Sequence, residues 1–234
     1  MSKIIRLGKN RTLALTKTRV MDFSTYLGVI LAFTLLIAFN VRDMFGSFFE
    51  SFHHALFQVA SIITTTGFAT VDFNLWPAFS KSLLVLLMFI GACSGSTGGG
   101  IKCSRIVLML KSVKKEMQYL IHPRAVRVNK MDGRRVQHEV MRSVNVFLIA
   151  YLLIFAVSVL LVSLNCEDMV TNFTAVATAL NNVGPGLELV GPVENFGFLH
   201  PLSKIVLMFD MLAGRLELFP MLLLFTPRTW LRKL

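Results

Sequence analysis

Two kinds of apolar run alternate along the chain: long uncharged ones, and shorter ones flecked with polar residues. Tyr26–Val41, which extends into its flanks, and Val144–Leu164 are runs without a charged residue. Pro77–Cys93 and Pro201–Phe225 are similarly apolar but hold a glycine interruption or an ionisable residue. About 20 apolar residues in a helix cross the ~30 Å hydrocarbon core of a bilayer, so these four segments predict four crossings. Between them lie two shorter helices. Phe45–Ile63 contains Glu50, His53, His54 and Gln58, and Asp168–Asn181 is similarly mixed. The crossings on either side must run in opposite directions, so each short helix is expected to dip in and leave by the same face.

The order outer helix, re-entrant helix, loop, inner helix therefore occurs twice. The predicted fold is an all-α membrane protein of two tandem units, each an outer helix, a re-entrant pore helix, a filter loop and an inner helix. Residues 1–21 form a basic lead-in, 22–119 unit A, 120–137 a polar linker and 138–234 unit B. The linker holds Pro123 and Asp132-Gly133, both turn signals. Placing Gly67 on Gly184 also pairs Glu50 with Glu167 and Val59-Ala60 with Val176-Ala177. Placing Ser80-Lys81 on Ser203-Lys204 also pairs Met88 with Met211 and Gly91 with Gly214. The two registers differ by six residues, which assigns the length difference to the loop before the inner helix. The halves are parallel repeats, not inverted ones.

Composition then fixes the orientation. Hydrophobic residues make up 54% of the chain and the mean hydropathy is +0.65, above the share usual in soluble domains. The net charge of +11 would suit nucleic acid, but its placement points elsewhere. Of 24 Lys and Arg, six lie in Lys3–Arg19, eleven in Lys102–Arg142 and three in Arg228–Lys233. The loops 41–50, 70–76 and 165–200 hold one basic residue, Arg42, against seven acids. Basic residues concentrate on cytoplasmic loops, so both termini and the linker are expected in the cytoplasm and no nucleic-acid partner is implied. Cys93, Cys103 and Cys166 are odd in number and unpatterned, which implies neither a disulfide framework nor a metal site.

The chemistry concentrates at the loops. Ser61-Ile62-Ile63-Thr64-Thr65-Thr66-Gly67-Phe68 ends the first short helix with hydroxyls and a glycine. Backbone carbonyls in such a turn can replace the hydration shell of a cation, and the helix's C-terminal end adds partial negative charge. Thr64, Thr65, Thr66 and Gly67 are the candidate filter of unit A. In unit B the corresponding residues are Asn182, Val183 and Gly184 within Asn181–Gly186, where Pro185 makes this quarter different in shape. The ion itself is expected at Thr65, Thr66, Gly67, Val183 and Gly184.

A second candidate element is Ser94, Gly95, Ser96, Thr97, Gly98, Gly99 and Gly100. Four glycines in seven residues cannot hold a good helix, and free backbone groups at membrane depth must line a cavity or pack against protein. A phosphate loop is excluded, since Ile101 separates Gly100 from Lys102 and a membrane span precedes it. Arg215 lies about 21 Å along the second inner helix at ~1.5 Å per residue, and charges at that depth are functional by default. The glycine segment and Arg215 are the candidate gate, with the carbonyls of Ser94–Gly100 as the expected partners of the guanidinium. Asp210 and Glu217, on another face, are expected to hold unit B to its neighbours, and Lys81 and Lys204 to anchor interfaces.

These motifs together resemble the membrane subunit of Trk-type potassium uptake systems, in the superfamily with Ktr and HKT transporters. The resemblance rests on Thr64-Thr65-Thr66-Gly67-Phe68, Gly95-Ser96-Thr97-Gly98-Gly99-Gly100-Ile101-Lys102, Asn181-Asn182-Val183-Gly184-Pro185-Gly186 and Gly214-Arg215-Leu216-Glu217-Leu218-Phe219-Pro220. It implies four such units around one pore, of which this chain is similar to the third and fourth. It implies K⁺ as the transported ion, no cofactor and no enzymatic activity. It also implies a homodimer of the complete transporter, a cytoplasmic nucleotide-binding regulatory subunit and a location in the cell membrane, by family the bacterial inner membrane. Two readings follow. In one, the chain is half of a conducting four-unit transporter. In the other, it is a truncated or split piece that conducts nothing without a partner half.

Overall fold

The computed structural model describes residues 23–93, 96, 98–122, 130–131, 134–136, 138–165 and 167–215. The expectations for residues 1–21, Ser94, Gly95, Thr97, Pro123, Asp132-Gly133, Cys166 and 216–234, Glu217 included, lie outside the described residues. Helices dominate: α1 (Phe23–Asn40), α2 (Phe48–Ile63), α3 (Ala78–Phe89), α4 (Cys103–Ile121), α5 (His138–Ser163), α6 (Met169–Asn181) and α7 (Pro201–Arg215).

Each short helix starts at a side-chain cap. The Ser47 hydroxyl accepts from the Phe49 amide at 3.3 Å and starts α2. The Asp168 carboxylate accepts from the amides of Val170 and Thr171 and starts α6. Such caps satisfy amides that a first helical turn leaves orphaned. By length and apolar composition, α1 and α5 can cross a membrane.

The expected crossing over Pro77–Cys93 stops short. After 12 residues α3 gives way to a two-residue strand, β1 (Ile90–Gly91), which pairs in parallel with β2 (Ile101–Lys102). Ile90 lies opposite Ile101 and Gly91 opposite Lys102. The glycine segment is thus a loop whose two ends are tied together before α4 begins. Glycines cost about 1 kcal/mol each relative to alanine in a helix, and pairing at the loop's neck satisfies the backbone groups that helix would have used. The fold departs from purely helical here, and again where β3 (Lys130–Met131) pairs antiparallel with β4 (Arg134–Arg135).

Burial follows the two units. One apolar core joins Ile37 and Val41 of α1, Val59 and Ile62 of α2 and Leu84 and Leu87 of α3. A second joins Val162 of α5, Val176 of α6 and Leu207 of α7. A third bridges them, with Ile101 packed against Phe147, Tyr151, Leu180 and Ala213. The two short helices are buried to different extents. In α2 one face is buried, while Phe49, Leu56 and Phe57 are exposed. In α6 the whole run from Thr174 to Asn181 is buried. That explains the small residues of Thr174-Ala175-Val176-Ala177-Thr178-Ala179: a helix packed on all sides has room only for short side chains.

Asp210, expected to hold unit B to its neighbours, instead ties α7 to α5 inside its own unit. It is fully buried, and the Ser158 hydroxyl of α5 donates to its Oδ1 at 2.7 Å. Its Oδ2 has no partner among the described residues. Ser158→Ala is therefore expected to cost about 1–3 kcal/mol, the price of an orphaned buried acceptor. Thermal unfolding of the detergent-solubilised protein, compared with Ser163→Ala at the exposed end of the same helix, measures it.

Candidate functional site

Both short helices end in the same backbone motif. In α2, the Thr66 amide donates to the Ser61 carbonyl at 2.9 Å and the Thr65 amide to Ile62 at 3.0 Å. In α6, the Val183 amide donates to Thr178 at 3.0 Å and the Asn182 amide to Ala179 at 3.1 Å. This six-to-one and five-to-two pattern is the Schellman cap, and it needs a left-handed residue at its corner. Thr65 (φ 56°) and Asn182 (φ 55°) occupy that corner. A positive φ strains a β-branched threonine, unlike asparagine. The two caps coincide in the register that pairs Gly67 with Gly184.

The cap has a chemical consequence. Amides of residues 64–67 turn back onto the end of α2. The Gly184 amide donates to the Thr178 hydroxyl at 2.8 Å. Their carbonyls accept no hydrogen bond: none from Thr64 to Gly67, or from Asn182 to Gly184, has a donor among the described residues. Donors are consumed and acceptors left over. The Thr64 hydroxyl donates to the Ala60 carbonyl at 2.7 Å, so its contact with Thr66 Oγ1 at 2.7 Å is made by the Thr66 proton. That leaves the Thr66 oxygen with lone pairs to offer.

The turns face each other. A Cβ built on Gly67 (φ 79°) would collide with the Val183 carbonyl oxygen and come within 3.0 Å of Pro185 Cδ. One on Gly184 (φ 115°) would meet Gly67 Cα at 3.8 Å. Both glycines sit in the φ region that side chains rarely adopt. Thr65, Thr66, Asn182, Val183 and Gly184 line one cavity of about 460 Å³.

The glycine segment packs on the ends of both short helices. A Cβ on Gly98 would lie 3.4 Å from Thr65 Oγ1, and one on Gly100 3.2 Å from Asn181 Oδ1. One on Gly99 would overlap the Asn181 carbonyl. The missing side chains are what let the loop approach two helix ends at once. Ser96, Gly98 and Gly100 line a second cavity, of about 370 Å³, together with Lys102, Arg105 and Arg215. Arg215 thus shares a cavity with the described part of the segment, but among the described residues it forms no hydrogen bond or ion pair. Of the expected carbonyl partners, those of Ser96 and Gly98–Gly100 do not bond it, and those of Ser94, Gly95 and Thr97 lie outside the described residues. Arg105 stacks its guanidinium 4.0 Å above the Phe147 ring.

Two residues that hold this arrangement, Asn74 and Tyr151, were not singled out from the sequence. Asn74 of unit A donates to the Glu188 carbonyl at 3.0 Å and accepts from the Glu188 amide at 2.9 Å. Lys81 reaches the Glu188 carboxylate at 3.2 Å, so it does anchor an interface, between the two units. Lys204 instead donates to the Gly197 carbonyl at 2.7 Å within its own unit. Tyr151 and Asn181 are bonded to each other at 2.8 Å beneath the second turn. A lone asparagine or tyrosine carries no periodic signal, so only the tertiary structure exposes these pairs.

The described residues thus hold two helices long and apolar enough for a bilayer and two glycine turns whose carbonyls have no donor among those residues, a mainly helical architecture of the kind found in membrane proteins. A family model described as "TrkH: Cation transport protein" matches residues 11–232, and the chain belongs to that family. The Trk system potassium uptake protein TrkH of Vibrio parahaemolyticus is 41% identical over 212 residues, which is 91% of this chain and 43% of that protein. TrkH of Salmonella typhimurium is 39% identical over 89% of this chain and 43% of its own length. TrkG of Escherichia coli K12 is 36% identical over 87% and 41%. The crystal structure of the potassium transporter TrkH from Vibrio parahaemolyticus superposes with a TM-score of 0.82 at 39% identity, covering 89% of this chain and 45% of that one. The chain spans less than half the length of these relatives. All of them are transport proteins, not enzymes.

Proposed function

We propose that this chain supplies two of the turns through which a Trk-type transporter passes K⁺, with the glycine segment and Arg215 closing the path next to them. One observation carries the reading. Two identically capped helices bring Gly67 and Gly184 together, and their flanking carbonyls have no donor among the described residues. Carbonyls left unbonded at a helix C-terminus are the ligands a dehydrated monovalent cation needs. The transport of potassium by the relatives supports K⁺ as the ion.

In this reading each unit is outer helix, pore helix, filter turn and inner helix, and α2 and α6 are the pore helices. The ion is held by Thr65, Thr66, Gly67, Val183 and Gly184, with Thr64 and Asn182 shaping the turns. The cationic cavity of Lys102, Arg105 and Arg215 lies next to the turns, across the Thr65–Gly98 and Asn181–Gly99 contacts. A cation that has left the filter meets that positive field unless the segment and Arg215 shift. Two turns provide only part of a coordination ring, and the exposed Phe49, Leu56 and Phe57 of α2 leave an apolar face for further units. The remaining pore units, a homodimer of the whole transporter and a cytoplasmic nucleotide-binding subunit are the partners this reading calls for. It places the protein in a bacterial inner membrane with both termini in the cytoplasm.

The test is rubidium uptake in cells lacking their own K⁺ uptake. Uptake is expected when the chain is co-expressed with the upstream half of a relative, and none when it is expressed alone. Uptake by the chain alone would overturn the shared-ring reading. No uptake in either case, with both pieces in the membrane, would overturn the transport reading itself.

A further inference from the structure

Asn181 is the last residue of α6, one position before the left-handed corner of the second turn. It is fully buried and bonded on every side. Its Nδ2 donates to the Ala177 carbonyl at 2.7 Å, and its Oδ1 accepts the Tyr151 hydroxyl proton at 2.8 Å. Tyr151 itself is 2% exposed and belongs to α5. The glycine segment rests on the same residue, with Gly99 against its carbonyl and Gly100 beside its Oδ1. On the far side, a Cβ on Gly214 of α7 would overlap the Leu180 carbonyl, and Asn182 Nδ2 donates to the Met211 carbonyl at 3.1 Å. The end of α6 is therefore gripped by three elements, one of which is the segment assigned to the gate.

We infer that Asn181 is a positioning residue that ties the glycine segment to the second filter turn, and that the Tyr151 hydroxyl holds it in register. The inference rests on the filter and gate reading above. While the segment is packed in place, Gly99 and Gly100 brace Asn181, and the cap that follows it sets the carbonyls of Asn182–Gly184. When the segment withdraws, that brace goes, and only the Tyr151 and Ala177 bonds keep the turn in shape. Filter geometry and gate position are then linked through one side chain. Ion preference would be sharpest with the segment seated or with the Tyr151 bond intact, and poorest with both lost.

Tyr151→Phe removes the hydroxyl and little volume, which makes it the discriminating variant. The measurement is the ratio of Rb⁺ to Na⁺ uptake by the chain co-expressed with the upstream half of a relative, with membrane abundance followed in parallel. A change of fold would lower both uptakes together and leave the ratio alone. Losing one neutral hydrogen bond corresponds to about a fivefold drop in the ratio. That drop is expected to be small in Tyr151→Phe alone and to appear in full when Gly99→Ala, whose Cβ would overlap the Asn181 carbonyl, also pushes the segment off Asn181. Asn181→Ala is expected to lower the ratio with the gate intact. Additive effects of Tyr151→Phe and Gly99→Ala, or an unchanged ratio throughout, would overturn the coupling. Failure of the underlying reading shows separately, as Arg215→Ala leaving flux and its regulation unaltered.

Discussion

Gly67→Ala is expected to abolish selective K⁺ uptake by the assembled transporter. Two independent costs fall on the one methyl group. Gly67 has φ 79°, where a Cβ strains the backbone, and that Cβ would overlap the Val183 carbonyl oxygen of the facing turn. Neither obstacle is the end of a flexible side chain. One is backbone and the other is Pro185, so relief requires the two turns to move apart. Strain of this kind is worth about 1–3 kcal/mol, and it acts on the atoms assigned to the ion. The result should be a loss of uptake by about 10- to 100-fold at unchanged membrane abundance, with Na⁺ entering in place of K⁺. Gly46→Ala is the control, because a Cβ there meets only Glu50 Oε2 at 3.7 Å. Rubidium uptake with sodium competition measures both. Wild-type selectivity in Gly67→Ala would remove that turn from the ion's path.

Arg215→Ala should have the opposite sign. The guanidinium lines the same cavity as Ser96, Gly98 and Gly100 and makes no hydrogen bond or ion pair among the described residues. Its charge is therefore directed at whatever occupies the cavity. At about 5 Å and an effective dielectric of ~20, it raises the energy of a passing monovalent cation by roughly 3 kcal/mol. Removing it should increase resting Rb⁺ leak by roughly 10- to 100-fold, and Arg215→Lys should keep most of the barrier because the charge remains. Lys102 and Arg105 line the cavity too, so the increase should fall short of the full electrostatic figure. Unchanged flux and regulation would relocate the gate.

How much was legible in the chain varies from element to element. The runs 26–41 and 144–164 announce α1 and α5 because a bilayer selects for length and hydropathy, both additive along a sequence. The Gly67–Gly184 register predicted that two turns would match, and the two Schellman caps agree down to individual amides. The end of α3 was less legible: Pro77–Cys93 is apolar to its last residue, yet the helix stops at Phe89. What ends it is a strand pairing with Ile101–Lys102, about ten residues ahead. The partners expected for Arg215 are legible only in part: the carbonyls of Ser96 and Gly98–Gly100 do not bond it, and Ser94, Gly95 and Thr97 lie outside the described residues. Spacing along a helix gives depth and direction, but not the distance to a group on another element.

Local rules, then, settled what each stretch can be. Apolar length, glycine content and polar ends specify spanning helices, turns and a break, since each depends on residues a few positions apart. What lies next to what was decided only in three dimensions. The facing of Gly67 and Val183, the seat of Gly99 on Asn181 and the Asn74–Glu188 clamp join positions about 80 to 116 residues apart. The first two exist because side chains are absent at the point of approach, and the third because one amide side chain matches a distant backbone donor and acceptor. A missing Cβ leaves no periodic mark in a sequence from which its distant neighbour could be named.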